Sequence, residues 1–199
     1  LETPILFTNS WSVGAVYDHF LSWASRRDED FYFDGCNPVV AETWDGFLND
    51  IRGRHVHEEH VFQALDEAAS GPVEEGSVGG GTGMQAFDFK AGIGTASRVV
   101  ENITGKSYTL GVLVQANFGD RALLRIDGVP VGREIQDRMP SRPNDPGGSF
   151  LAVLATDAPL DHRQLQRLSK RIALGLARTG STAHNGSGDL VMAFSNGYR

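Results

Sequence analysis

The stretch "SFLAVLATDAPL", residues 149–160, constrains this chain more than any other. From Phe150 to Ala155 every side chain is apolar, so no alternation is left to mark a wet face. A run this short, bounded by Gly147-Gly148 on one side and Pro159 on the other, reads as a strand buried on both faces. Ahead of it, residues 133–148 concentrate loop signals, with Pro140, Pro143, Pro146, Gly147 and Gly148. The placement of Ser149, a serine between a glycine pair and a buried strand, asks for a reason beyond turn closure.

The flanking segments give the rest of the architecture. A helix is predicted from Asp161 to Arg178: Asp161 and Gln164 fit a capping box, Leu165, Leu168, Ile172 and Leu176 line one face, and Gly180 follows the end. "TPILFTNSWSVGAVYDHFLSWASRR" predicts a short strand and a helix, with Val13, Val16, Tyr17, Phe20 and Leu21 on one side. "DEDFYFDGCNPVVAETWDGFLNDIRG" reads as loop and short strands. "HEEHVFQALDEAAS" predicts a helix with Val61, Ala64, Leu65 and Ala68 as its buried stripe, stopped by Gly71-Pro72. Strands are predicted at "MQAFDFK", "SRVVENI", "YTLGVLVQANFG" and "RALLRIDGVPVG", and their alternation suggests an antiparallel sheet. Together these elements make one α+β domain.

Composition narrows the function classes. With 199 residues, 40% hydrophobic and 22% charged, the chain can bury a real core. A net charge of −7 leaves no basic footprint for nucleic acid. No apolar run approaches the roughly 18 residues a membrane span needs, so no membrane partner is expected. Cys36 is the single cysteine, which excludes an intrachain disulfide and a cysteine-built zinc site. Compartment stays open, with the cytoplasm favoured. The chain opens on Leu1 and stops soon after the apolar run "LVMAF", and we read it as an internal piece of a longer protein.

Several stretches carry chemistry-bearing residues, each with an ordinary alternative. The glycine loops "EGSVGGGTG" (75–83) and "KAGIGTAS" (90–97) lack the lysine of a phosphate-binding loop and do not open helices, so tight turns or close backbone approach explain them better. His55, His57 and His60 are spaced two and three apart rather than four, which suits polar positions at a helix start better than a metal. No metal and no cofactor are expected. "NIT" (102–104) and "NGS" (185–187) match the glycosylation sequon cheaply. "AHNGSGDL" sets Ser187 and Asp189 two apart just before a strand, where they could share a face, although a plain turn reads the same residues. Asn117, at the end of "LVQAN", has an amide suited to an oxyanion and is also an ordinary strand end.

Read in order, "EGSVGGGTG", "FKAGIGTASR", "LGVLVQANFG", "GGSFLAVLATDAPL", "LARTGSTAHNGSGD" and "MAFS" resemble the self-processing L-aminopeptidase/D-esterase family, which includes the β-peptidyl aminopeptidases. The resemblance covers nearly the whole chain. It implies a four-layer α/β/β/α sandwich similar to N-terminal-nucleophile hydrolases but differently connected. It implies that a precursor cuts itself between Gly148 and Ser149, so that 1–148 and 149–199 become α and β parts of one catalytic domain over 1–199. Ser149 is then the N-terminal nucleophile, Ser187 and Asp189 its supporting pair, Asn117 the oxyanion donor, and Phe47 an aromatic beside the substrate. The acidic position is Asp here where some members carry Glu. The implied partners are a small peptide or amide substrate and further copies of the αβ unit in a homo-oligomer.

That reading gives Gly-Gly-Ser a chemical reason. Gly148 has no side chain to shield its carbonyl from Ser149 Oγ. Attack gives an ester that water hydrolyses, freeing an α-amine with a reference pKa of about 7.7–8.0. Such an amine serves as a base near neutral pH without a histidine. The expected activity is that of an aminopeptidase or amidase on short peptides, amides or esters with a free amine, β-peptides and D-amino acid esters among them. Glu42 and Asp45 in "AETWDGF" are acidic candidates to pair that amine. An acyltransferase of the ornithine acetyltransferase type would carry a nucleophilic threonine, which Ser149 argues against. A non-catalytic small-ligand binding protein that keeps this fold uncleaved is the reading from another class.

Overall fold

The structure is a computed structural model that describes residues 2–27, 36–140 and 148–198. Pro143, Pro146 and Gly147 of the predicted loop lie outside the described residues. The elements run β1 (Ile5–Asn9), α1 (Val13–Arg27), β2 (Val39–Thr43), α2 (Glu58–Asp66), β3 (Gln85–Ala86), β4 (Phe89–Lys90), β5 (Gly92–Glu101), β6 (Ser107–Asn117), α3 (Val131–Glu134), β7 (Gly148–Thr156), α4 (His162–Arg178) and β8 (Ser187–Ser195). The main sheet has the order β5-β6-β7-β8. Its first three strands are antiparallel, as the alternation predicts, while β8 runs parallel to β7. The cause is α4: a strand, a crossover helix and a returning strand leave the two strands pointing the same way.

Strand β7 shows why the run from Phe150 to Ala155 is apolar throughout. Phe150 and Ala152 face one side, in a cluster with Phe87, Phe118 and Leu176 of α4, and Ile172 packs against that cluster. The Phe118 ring meets Phe87 and Phe150 edge-on, with centroids 5.4 and 5.5 Å apart. Leu151, 1% exposed, points to the opposite side, where its β6 neighbour is Gln115.

On that second side lies the two-stranded parallel sheet β1-β2. Gln115 is fully buried and bridges the two sheets. Its Nε2 donates to the Thr8 carbonyl at 3.1 Å and to Thr43 Oγ1 at 2.7 Å, and Thr43 in turn lies 2.9 Å from Met84 Sδ. Behind β1-β2 stands α1, which buries Val16, Phe20 and Ala24, with α2 beside it burying Val61. The order of layers is therefore α1/α2, β1-β2, β5–β8, α4, which is the α/β/β/α sandwich expected.

Helix α4 starts as predicted, with Asp161 accepting from the Gln164 N–H at 2.7 Å and Gln164 accepting from the Asp161 N–H at 2.8 Å. Helix α2 is shorter than its sequence pattern suggests and ends at Asp66. "RALLRIDGVPVG" is the clear departure, because it forms no strand of the sheet. Arg121–Leu123 make a 3₁₀ turn, Ile126 pairs only with Val129 across the Asp127-Gly128 turn, and α3 follows. Asp127 and Gly128 both have positive φ, 50° and 83°, as a tight hairpin turn requires. The Arg125 N–H donates to the Thr179 carbonyl at the end of α4, so this segment is spent clamping the helix.

If the Gln115 amide holds the two sheets together, Gln115→Leu should lower stability by about 1–3 kcal/mol, because it strands the buried Thr8 carbonyl. Urea unfolding of the full-length protein measures this. Stability equal to wild type would show that packing alone joins the sheets.

Candidate active site

Antiparallel pairing places Asn117, the last residue of β6, directly opposite Ser149. Ser149 is buried, 8% exposed, and its Oγ lies 3.4 Å from Asn117 Nδ2. Among the described residues no basic or acidic side chain hydrogen-bonds this hydroxyl. A serine with no base beside it is a poor nucleophile until something supplies one.

The Asn117 amide is held from both ends. Its Oδ1 accepts from the Gln85 N–H at 3.1 Å, and its Nδ2 donates to the Trp44 carbonyl at 2.8 Å. These two backbone partners fix which end of the amide is the donor, and the donor end faces Ser149. The Gln85 N–H is itself held by the β3-β4 hairpin, whose turn residues Phe87 and Asp88 both adopt positive φ, 53° and 60°. A buried phenylalanine in that conformation is uncommon. It persists here because the Phe87 ring belongs to the core cluster and its N–H donates to the Phe118 carbonyl at 2.8 Å.

Gly148 explains its own identity. A Cβ at this position would lie 2.6 Å from the Asn117 carbonyl oxygen and 2.7 Å from Phe118 Cα, both rigid backbone atoms. Only glycine lets the first residue of β7 approach the end of β6 this closely. The backbone before Ser149 is thus pressed against the residue that carries the amide donor.

Ser187 and Asp189 form a pair of their own, with Ser187 Oγ donating to Asp189 Oδ1 at 2.7 Å. They lie on β8 itself rather than ahead of it. The parallel register sets Ser187 opposite Gly148, Gly188 opposite Ser149 and Asp189 opposite Phe150. Strand alternation therefore puts both side chains on the Phe150 face of the sheet, while Ser149 and Asn117 share the other face. The structure brings Asn117 to the Ser149 hydroxyl and brings Ser187 beside the Gly148-Ser149 backbone. It forms no hydrogen bond between Ser149 Oγ and either Ser187 or Asp189. Phe47 lies on the exposed turn after Trp44, 57% exposed, and no contact described for its ring reaches Ser149.

The histidines and the glycine loops are occupied elsewhere. His57 and His60 cap α2, the His57 N–H donating to His60 Nδ1 at 3.0 Å, and His55 lies 3.3 Å from Asp50 Oδ2 on the surface. Among the described residues no group of three His, Cys, Asp or Glu side chains is placed to hold a metal ion. The two glycine stretches pack on each other, Gly76 and Ile93 exchanging N–H···O bonds of 2.7 and 2.8 Å, and most of "KAGIGTAS" lies in β5. Among the described residues no helix is long and apolar enough to cross a membrane. The Trp44 carbonyl and the Gln85 N–H were not predictable as site groups, because backbone atoms carry no residue-type signal.

Comparison with known proteins gives the chain its family. The model of peptidase family S58 matches residues 1–199. The chain is 51% identical over 211 residues to the "Beta-peptidyl aminopeptidase BapA" of Sphingosinicella microcystinivorans, covering 98% of this chain and 52% of that protein. Among solved structures, the PH0078 protein from Pyrococcus horikoshii OT3 superposes with a TM-score of 0.88 at 50% identity, over 100% of this chain and 54% of that one. The L-aminopeptidase D-Ala-esterase/amidase from Ochrobactrum anthropi, described as a prototype for the serine aminopeptidases and a new variant among the Ntn hydrolase fold, does so with a TM-score of 0.84 at 46% identity, over 95% of this chain and 52% of that one. The chain thus spans about half the length of the relatives it matches. On sequence and structure together, it belongs to peptidase family S58.

Proposed function

We propose that this chain is the nucleophile-bearing part of a self-cleaving N-terminal-serine aminopeptidase. One observation carries the reading: a buried serine, with no base hydrogen-bonded to it among the described residues, faces an amide donor and follows a glycine that nothing larger could replace. Peptide-bond cleavage before Ser149 supplies the missing base. Ser149 Oγ attacks the Gly148 carbonyl carbon, the C–N bond to Ser149 breaks, and the Oγ proton ends on the released amine. Water then hydrolyses the Gly148 ester, leaving a Gly148 carboxylate and an N-terminal Ser149.

In turnover the same amine takes the Oγ proton as Oγ attacks the substrate carbonyl. Asn117 Nδ2 donates to the oxyanion, the leaving amine collects the proton, and water releases the acyl group. Ser187 and Asp189, beside the Gly148-Ser149 backbone but on the other sheet face, are placed to orient the freed amine rather than the hydroxyl. The units 1–148 and 149–199 stay together as α and β parts, and such units assemble as a homo-oligomer. The named aminopeptidase relatives support the reaction class. A binding protein that keeps the fold uncleaved would need neither the wedged Gly148 nor the aimed amide.

The substrate class follows from the relatives' names and from the chemistry of a small amine. A substrate ammonium needs an oxygen partner, since burying it unpaired is costly. Asp45 lines a cavity whose lining includes neither Ser149 nor Asn117, which leaves Glu42 on β2, already accepting from Ser10 Oγ, as the acidic candidate.

Three outcomes test the proposal on the full-length protein. Intact-mass measurement should find a chain beginning Ser-Phe-Leu-Ala, and Ser149→Ala should remain uncut; a folded wild type that stays whole would overturn self-cleavage. Asn117→Ala should lower kcat by about 10²–10³ with a much smaller change in KM. Wild-type kcat in that variant would remove Asn117 from the oxyanion site. Aminoacyl p-nitroanilides and β-alanyl dipeptides should be hydrolysed while their N-acetylated forms are not. Equal rates on both would mean that no amine is read.

A further inference from the structure

The chain leaving β6 turns back on the hairpin that orients Asn117. Shortly after Asn117 stands Arg121, and its guanidinium is shared among three backbone carbonyls. Nη2 donates to the Asp88 carbonyl, Nε to the Phe87 carbonyl at 3.4 Å and Nη1 to the Pro140 carbonyl at 3.2 Å. The group lies over the Phe89 ring, 4.5 Å from its centroid. Its own backbone is fixed as well. Asp120 Oδ1 accepts from the Ala122 N–H at 2.8 Å and caps the 3₁₀ turn that Arg121 opens. A Cβ on Gly132 would fall 1.8 Å from the Arg121 carbonyl oxygen, so α3 closes on this turn only because residue 132 is glycine.

Two of the three bonds have a plain purpose. Phe87 and Asp88 both hold positive φ, which costs free energy in residues that carry a side chain, and donors on their carbonyls help to keep it. The third bond does nothing for that turn. Pro140 is the last described residue before Gly148, and Gly148 is itself pressed against the Asn117 carbonyl and Phe118. The short stretch 117–121 therefore holds the chain ahead of Ser149 at two points, Pro140 and Gly148.

On the self-cleavage reading above, we propose that Arg121 is a positioning residue for the cut. One guanidinium holds Pro140 and the Phe87-Asp88 turn together, and so presents the Gly148 carbonyl and the Asn117 amide to Ser149 in one geometry. Arg121 touches no reacting atom and acts by two routes. The turn belongs to the hairpin whose Gln85 N–H holds Asn117 Oδ1, and Pro140 sets where the chain approaching Gly148 starts from. Attack of Oγ on the neighbouring carbonyl depends steeply on placement, and an error of about 1 Å can cost on the order of 10²-fold. The rigid fork of arginine suits three carbonyls at fixed angles, where an ammonium on a flexible stem does not hold them together. Once the bond is cut, Pro140 no longer leads into Ser149 and only the hairpin route remains. Loss of Arg121 should fall more heavily on cleavage than on turnover.

The test follows the full-length chain after a pulse of cell-free synthesis, with the fraction cut read on denaturing gels over time. Arg121→Ala should cut at least about tenfold more slowly than wild type. Methylguanidinium chloride should restore part of the lost rate, and choline chloride at the same ionic strength should not. Material that has been cut should lose less in kcat than it lost in cleavage rate. Stability is compared in the uncut Ser149→Ala background. Should Arg121→Ala fail to fold, Arg121→Lys, which keeps a cation near Phe89, takes its place and should also cut slowly. Cleavage at the wild-type rate in the variant that folds would overturn the proposal. So would slow cleavage that follows the loss in Tm and ignores methylguanidinium, which would make Arg121 a structural clamp only. Equal losses in cleavage rate and kcat would overturn it too, by leaving the Asn117 hairpin as the sole route. A wild type that never cuts would take away self-cleavage itself and this role with it, so the wild-type lane tells the two failures apart.

Discussion

A buried glutamine is costly unless its amide finds partners, and the Gln115 Nε2 finds two on another sheet while its Oε1 has none. Its bonds to the Thr8 carbonyl and Thr43 Oγ1 fix β1 and β2 against the middle of β6. Two residues further along the same face, Asn117 makes the matching bond to the Trp44 carbonyl. One strand thus uses one pair of amides, at a spacing of two, to set the distance and register of a neighbouring layer. Everything placed around Ser149 inherits that setting, because β7 pairs with β6 and the Trp44 turn continues β2.

The site itself is a matter of backbone geometry more than of side-chain abundance. Asn117 is oriented by a carbonyl and an N–H, and Gly148 is selected by a carbonyl and a Cα. Side chains that would normally announce a hydrolase, a histidine or a carboxylate on the serine, do not hydrogen-bond this hydroxyl among the described residues. Preorganisation of this kind is inexpensive to hold, since the donors are already satisfied by secondary structure before any substrate arrives.

How much of this could be read from sequence differs from residue to residue, for physical reasons. The unbroken apolar run 150–155 and the Asp161–Gln164 capping box are local patterns with one good solution each, and both elements form where predicted. "RALLRIDGVPVG" has a strand's alternation but also Asp127-Gly128, and the turn won because its flanks have the end of α4 to clamp. Ser149 and Asn117 were named through the family resemblance, and their pairing is a product of the β6-β7 register, which no local pattern encodes. Ser187 and Asp189 were legible as a same-face pair, and they are one. Which face they occupy depends on the parallel register of β8, invisible in a nine-residue strand. The buried Asp45 looked like any acidic turn residue, because burial is a property of the layers around it.

The ladder hydrogen bonds of β7 begin at Gly148, one residue before the serine. A break in the chain at that point would fall inside a strand, between Gly148, paired with β8, and Ser149, paired with both β6 and β8. Folded, such a protein would keep the Ser149 end in place through β6, β8 and the phenylalanine cluster, and the Gly148 end through its pairing with β8. Unfolded, the two pieces would drift apart, and reunion would become a bimolecular encounter whose yield depends on concentration. A protein cut this way would fold once as a single chain and afterwards rely on the height of its unfolding barrier rather than on its ability to refold.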